Sequence, residues 1–191
     1  MKKCFPLFVI GVLFGLIGCK TTCSEFDRKI LNWIPYQEND VIELYSQLNH
    51  TTIIFPINSV YISHKTHYSS NTDCGGCDDN IFINNDNSDF HVMIDLYDNK
   101  MRGQNYKIID TYFSTYSEEK KYIFENEEYE LVRIFEADGS QGTFRTLIVA
   151  DEIGVVGLID IHGNIWTLKT NAKIKRLEKE YKNIVINNVS C

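Results

Sequence analysis

The stretch His91 to Tyr97 sets Val92, Ile94 and Leu96 on one side of an extended chain and His91, Met93, Asp95 and Tyr97 on the other. Side chains alternate across a β-strand with a period of two, so the pattern demands a strand with one buried and one wet face. Related β-branched and aromatic runs recur at Val41 to Tyr45, Thr51 to Ser63, Ile81 to Ile83, Tyr106 to Tyr116, Tyr129 to Phe135, Thr143 to Ala150, Gly154 to His162 and Ile165 to Leu168. Between them stand Asn, Asp, Gly and Ser clusters that read as turns. Pro56 implies an edge or bulged strand, or a strand pair separated by a bend. Gly163-Asn164 between two apolar runs signals a tight hairpin turn. The expectation is a mainly β domain of about eight to ten strands, an antiparallel sheet closed as a sandwich or a partly open barrel. Without βαβ alternation, no parallel pairing is expected. The 11 Tyr and 11 Phe against 3 Pro suit sheets rather than disorder. One helix is predicted near the C-terminus: from Ala172 to Ile184 the residues Ile174, Leu177, Tyr181 and Ile184 recur every three or four positions, with charged residues filling the other faces.

The other constraint is one of address. Lys2 and Lys3 precede an apolar run from Phe5 to Ile17, and small Gly18 leads into Cys19. This is the plan of a secretory signal peptide, and at about 13 residues the apolar core is short of the roughly 20 that span a bilayer. Leu16-Ile17-Gly18-Cys19 resembles the lipobox of bacterial lipoproteins, which implies cleavage before Cys19 and its lipidation. The chain then divides into residues 1–18 as leader, 19–25 as lipidated cysteine and short tether, and 26–191 as one domain. About 170 residues suffice for a real core. Because Lys20 rather than an aspartate follows the cysteine, bacterial sorting rules imply the outer membrane, facing the periplasm or the cell surface. The lipid bilayer is the expected partner, with an envelope protein or a small ligand as further possibilities. The net charge of -7 gives no electrostatic help toward nucleic acid, and none is expected as a partner.

Beyond the lipobox, Trp33-Ile34-Pro35-Tyr36 with an acidic-polar turn leading to Val41 to Tyr45, and the late pair Gly154-Val155-Val156-Gly157-Leu158 and His162-Gly163-Asn164-Ile165-Trp166-Thr167-Leu168, resemble small cell-envelope lipoproteins of Bacteroides and Flavobacterium relatives. In many of these an aromatic-Pro-Tyr segment opens the domain and a hairpin of this kind closes the sheet. The resemblance implies a location and a mostly antiparallel β fold, and brings no catalytic residues with it.

Cys4 leaves with the leader and Cys19 carries the lipid, so four of the 6 cysteines remain: Cys23, Cys74, Cys77 and Cys191. In an oxidising compartment an even number suggests two disulfides, with Cys74–Cys77 and Cys23–Cys191 the favoured of three pairings. His64, His67, Cys74 and Cys77 also have the types and number of ligands for tetrahedral zinc, but oxidation of Cys74 and Cys77 would remove both thiolates. No metal and no cofactor is therefore expected in the oxidised loop from His64 to Asp79. Asn84 to Asp89 offers oxygen ligands yet lacks the glycine and closing glutamate of a calcium loop, and reads as a turn. His50, His91 and His162 read as ordinary surface or half-buried histidines. No nucleophile elbow, H-E-x-x-H pair, phosphate loop or dinucleotide fingerprint is present. Two function classes follow: a non-enzymatic envelope lipoprotein with a binding or structural role, or an extracytoplasmic hydrolase using paired carboxylates or a zinc site at His64, His67, Cys74 and Cys77.

Overall fold

The computed structural model describes residues 28–66, 77–97, 100–169 and 185–188. These residues form one twelve-stranded sheet: β1 (Val41–Ser46), β2 (Thr51–Pro56), β3 (Ser59–Thr66), β4 (Cys77–Asn84), β5 (Phe90–Tyr97), β6 (Lys100–Ile108), β7 (Thr111–Phe124), β8 (Glu127–Ala137), β9 (Phe144–Ala150), β10 (Gly154–Asp160), β11 (Ile165–Leu168) and β12 (Val185–Asn188). From β3 to β11 the chain meanders, each strand pairing antiparallel with the next. The N-terminal hairpin then joins the far side: β1 pairs with β11 and β2 lies outside β1. At the other edge β12 runs parallel to β3, with Val185 opposite Tyr61.

The sheet is curled into a half-barrel. At the bend Ile57–Asn58, just after Pro56, the chain passes from the edge strand β2 to β3, next to the other edge: Ile57 N donates to Asp40 O, Asn39 N donates to Ile57 O, and Asn58 N donates to Asn84 O. Strands that turn a corner in this way let one sheet pack on itself. Phe90, Val92, Ile94 and Leu96 of β5 are at most 1% exposed. All four belong to the main core, where the Phe90 ring centre lies 5.4 Å from that of Phe55 of β2. Each such side chain contributes about 1.5–3 kcal/mol through burial. A 3-10 helix, Arg28–Trp33, and the residues after it fill one end of the interior, where Leu31, Trp33, Ile34 and Tyr36 are buried in the same core. Tyr36 turns its edge to Phe90, and its hydroxyl accepts the Val155 N–H at 2.5 Å. Gly154, at φ 85°, sits against that hydroxyl with no room for a Cβ.

A second, smaller core lies on the outer face. Only Val132 to Glu136 of β8 pair with β9, and only Thr111 to Phe113 of β7 pair with β6. The rest of the β7–β8 hairpin projects as a two-stranded arm. It folds back across the sheet, so that Phe124 packs with Val132, Ile148, Ala150 and Val156. Lys121 takes a left-handed φ of 54° along the arm, and the tip Glu125-Asn126 has positive φ at both residues, as a two-residue hairpin turn requires. The Phe124 ring lies directly on Gly157, leaving no space for a Cβ. With one face against the main core and the other under the arm, Leu147-Ile148-Val149-Ala150 read as an unbroken apolar run.

Four expectations are corrected. No α-helix occurs among the described residues, and the sheet is not wholly antiparallel, because the chain ends its described course in the parallel strand β12. The stretch 172–184 expected to form an amphipathic helix lies outside the described residues. The expectation of disulfides is not upheld: no disulfide occurs among the described residues, and each of the two expected bridges, Cys74–Cys77 and Cys23–Cys191, involves a cysteine outside them. Cys23, Cys74 and Cys191 lie outside them, and Cys77 is placed by its backbone as the first residue of β4. The loop expected over His64 to Asp79 is shorter than its composition suggested. His64, Lys65 and Thr66 continue β3, opposite Asp79, Asp78 and Cys77.

Candidate functional site

The densest buried chemistry is gathered around Arg133. On β8 the residues Arg133 and Phe135 point into the half-barrel while Val132 and Ile134 face the outer core, so a cation takes an inward position in an otherwise apolar alternation. Its guanidinium carbon lies 3.8 Å from the Trp33 ring centre and 4.6 Å from that of Tyr116, held between two aromatic faces. Nε and Nη2 each reach Glu118 Oε1 at 2.9 Å, and Nη1 donates to Gln104 Oε1 and to the Met101 sulfur. Gln104, on the inner face of β6, donates in turn to the Tyr106 hydroxyl at 2.7 Å. Tyr106 donates to Trp33 O at 3.4 Å. Burial first, then the neighbouring Tyr36, push the Tyr106 phenol well above its ordinary range, against the smaller downward pull of Gln104 and Arg133. It stays a neutral donor.

Each polar group in this chain is engaged by the next, and the chain ends on the backbone of the segment that plugs the interior. Its chemistry is that of a fastening: it holds Trp33 and the residues around it against the sheet.

The opposite rim is built of side-chain caps. Asp110 accepts from Thr143 N at 2.9 Å, from Thr143 Oγ1 and from Thr111 Oγ1. Led by the Thr143 backbone bond, these bonds hold its carboxyl below the usual carboxylate range. Burial raises Asp160, but bonds from the Asn164 side chain and backbone and from His162 N bring it down on balance. The Asn84–Asp89 run is a turn closed by its own side chains, with Asn85 Oδ1 accepting Phe90 N at 3.0 Å.

A different arrangement lies on the outer surface, where three turns remote in sequence converge on a depression of about 210 Å³. Tyr45 of β1 and Gln47 and Leu48 of the β1–β2 turn form one side. Glu125 at the tip of the arm forms another, and Gly163 and Asn164 of the β10–β11 turn lead into Ile165 and Thr167 of β11. The Tyr45 hydroxyl is hydrogen-bonded to His50 Nδ1 at 3.1 Å, and Thr167 Oγ1 donates to Tyr45 O at 3.4 Å. Asn164 commits its amide nitrogen to Asp160. The Gln47 amide and the Glu125 carboxylate have no hydrogen-bond or ion-pair partner among the described residues. They are the uncommitted polar groups of the wall.

The residues singled out in the sequence are dispersed. Cys19, Cys23, His67, Cys74 and Cys191 lie outside the described residues, while His64 and Cys77 sit on adjacent strands by backbone register. Among the described residues no group of three or more His, Cys, Asp or Glu is placed to hold a metal ion. His91, bonded to Asn84 and beside the Phe82 ring, is lowered by burial and then by Lys107, which leaves it neutral. His50 borders the depression and His162 the opposite rim's caps. The residues that matter most were not singled out as site residues; only Arg133, a charge within the apolar alternation of β8, carried a visible signal. No protein-family model, no curated protein and no solved structure matches this chain.

Proposed function

We propose that this chain is a lipid-anchored cell-envelope protein of the outer membrane that acts by binding at its outer surface rather than by catalysis. The observation that carries the reading is the leader, with Lys2-Lys3, the apolar run and Leu16-Ile17-Gly18-Cys19 in sequence. Two structural features support it. The chain enters the core almost at once after Cys19, with Leu31 and Trp33 already buried, so a lipid on Cys19 would hold the domain close to the bilayer. The buried polar groups of the interior, Arg133, Gln104 and Tyr106, are occupied in fastening that entry segment, which leaves recognition to the exterior. Mass spectrometry of the N-terminal peptide from bacterial membranes tests the proposal. The expected result is acylated Cys19 as the first residue and release of the protein to the soluble fraction by Cys19→Ser. An unmodified N-terminus at another position would overturn it.

A further inference from the structure

We propose that the depression between the β1–β2 turn, the β10–β11 turn and the arm tip binds one ring of a neutral saccharide. The site rests on the surface-binding role proposed above and gives it a ligand. Gln47 and Glu125 are the hydroxyl-binding groups, with Tyr45 beside them.

Four features define the ligand class. The depression, at about 210 Å³, is smaller than the roughly 300–1,000 Å³ of sites for drug-sized ligands, so it suits one ring rather than a chain. Among the described residues no cation lines it, while Glu125 brings a carboxylate, which disfavours phosphates, sulfates and carboxylic acids. Its polar groups mix donors with acceptors: Gln47 offers both, Glu125 and the Asn164 side-chain oxygen accept, and the Tyr45 hydroxyl has a lone pair beyond its bond to His50. Each hydroxyl of a sugar is likewise donor and acceptor, whereas an ammonium ligand would leave the Gln47 N–H groups unmatched. Finally, Leu48 and Ile165 provide apolar surface between these groups, a match for the C–H face of a pyranose. A site with a few placed polar groups on an apolar wall sets orientation by the former and gains contact area from the latter.

The test uses the full mature chain, purified in detergent, with D-glucose, D-galactose and N-acetylglucosamine as separate probes and n-butylammonium chloride as the cationic probe. Saturation-transfer NMR and titration calorimetry read binding at low and high NaCl. The expected result is saturable binding of at least one sugar, independent of salt, weakened about tenfold by Gln47→Ala or Glu125→Ala and unchanged by Tyr112→Ala at an exposed position elsewhere. Failure of all three sugars, or sugar binding that ignores both Gln47→Ala and Glu125→Ala, would overturn the site. So would salt-sensitive butylammonium binding without sugar binding. Cys19→Ser separates this proposal from the anchor: sugar binding by an unlipidated chain upholds the site even if the anchoring proposal fails, and an anchored chain that binds no sugar removes the site alone.

Discussion

Replacing Arg133 by methionine tests whether the buried guanidinium is a fastening. Methionine keeps most of the aliphatic stem, so the change isolates the charged head. Removing the head leaves Gln104, which is fully buried, with its carbonyl oxygen unpartnered, a loss of about 1–2 kcal/mol. The stacking of the guanidinium on Trp33 at 3.8 Å and on Tyr116 at 4.6 Å contributes about 0.5–1 kcal/mol for each ring. Glu118 is 47% exposed and regains water, so its share is below about 1 kcal/mol. The expected destabilisation is therefore about 3 kcal/mol, a fall in Tm of roughly 6–12 °C for a domain of this size. Urea unfolding followed by tryptophan fluorescence reads it directly, because the Trp33 indole stacks on the guanidinium that the substitution removes. Adding Gln104→Leu to Arg133→Met should restore about 1 kcal/mol, since the orphaned Gln104 oxygen is then gone while the Tyr106 hydroxyl keeps its bond to Trp33 O. A cost below about 1 kcal/mol for Arg133→Met would refute the fastening role, as would a Glu118→Gln variant that alone loses as much stability as Arg133→Met.

The arm and the rim give further expectations. Gly157→Val should lift Phe124 from the outer face and speed amide hydrogen exchange across residues 117–131, while β4 and β5 keep their protection; an unchanged exchange rate in the arm would show that Phe124 does not hold it. Asp110 is held below its usual range by Thr143, so its contribution is present above the unfolded value of about 4 and is lost as pH falls through the lower folded value. Asp110→Asn should accordingly flatten the fall of the urea midpoint as pH drops below about 4, and a wild-type slope in that variant would place the acid sensitivity elsewhere.

Most strands were legible in the sequence where one face is dry. β5 alternates because Phe90, Val92, Ile94 and Leu96 face the core and their neighbours face water. The bend after Pro56 was legible for a similarly local reason, since proline cannot extend a central ladder. What was hidden depends on contacts made at a distance. Ser117 to Lys121 reads as a charged connection, yet it is strand, because the arm lies over a second core and keeps its charges outward. The β6–β7 turn escaped notice because Ile109, a β-branched residue, takes φ 57° there. Its N–H bond to Asp89 O and its packing on the core offset a conformation that no composition rule would assign to it. The depression was the least legible part, since Gln47, Glu125 and Asn164 come from three turns that only the folded sheet brings together.

The strand order also sets a timetable for manufacture. As the chain emerges from N- to C-terminus, β3 to β10 can assemble neighbour by neighbour, but the first hairpin cannot take its place. Ile42, Leu44 and Phe55 belong to the main core, and the strand that seats them, β11, is made only when synthesis reaches Leu168. At the opposite edge β3 waits longer still, for Val185. Until then both margins of the sheet remain open, and pairings that close so late are slow to form and prone to mispairing with other chains. A nascent copy halted before residue 168 would thus carry a nearly finished meander and an unseated hairpin, a species that quality control can recognise by its two unfinished borders.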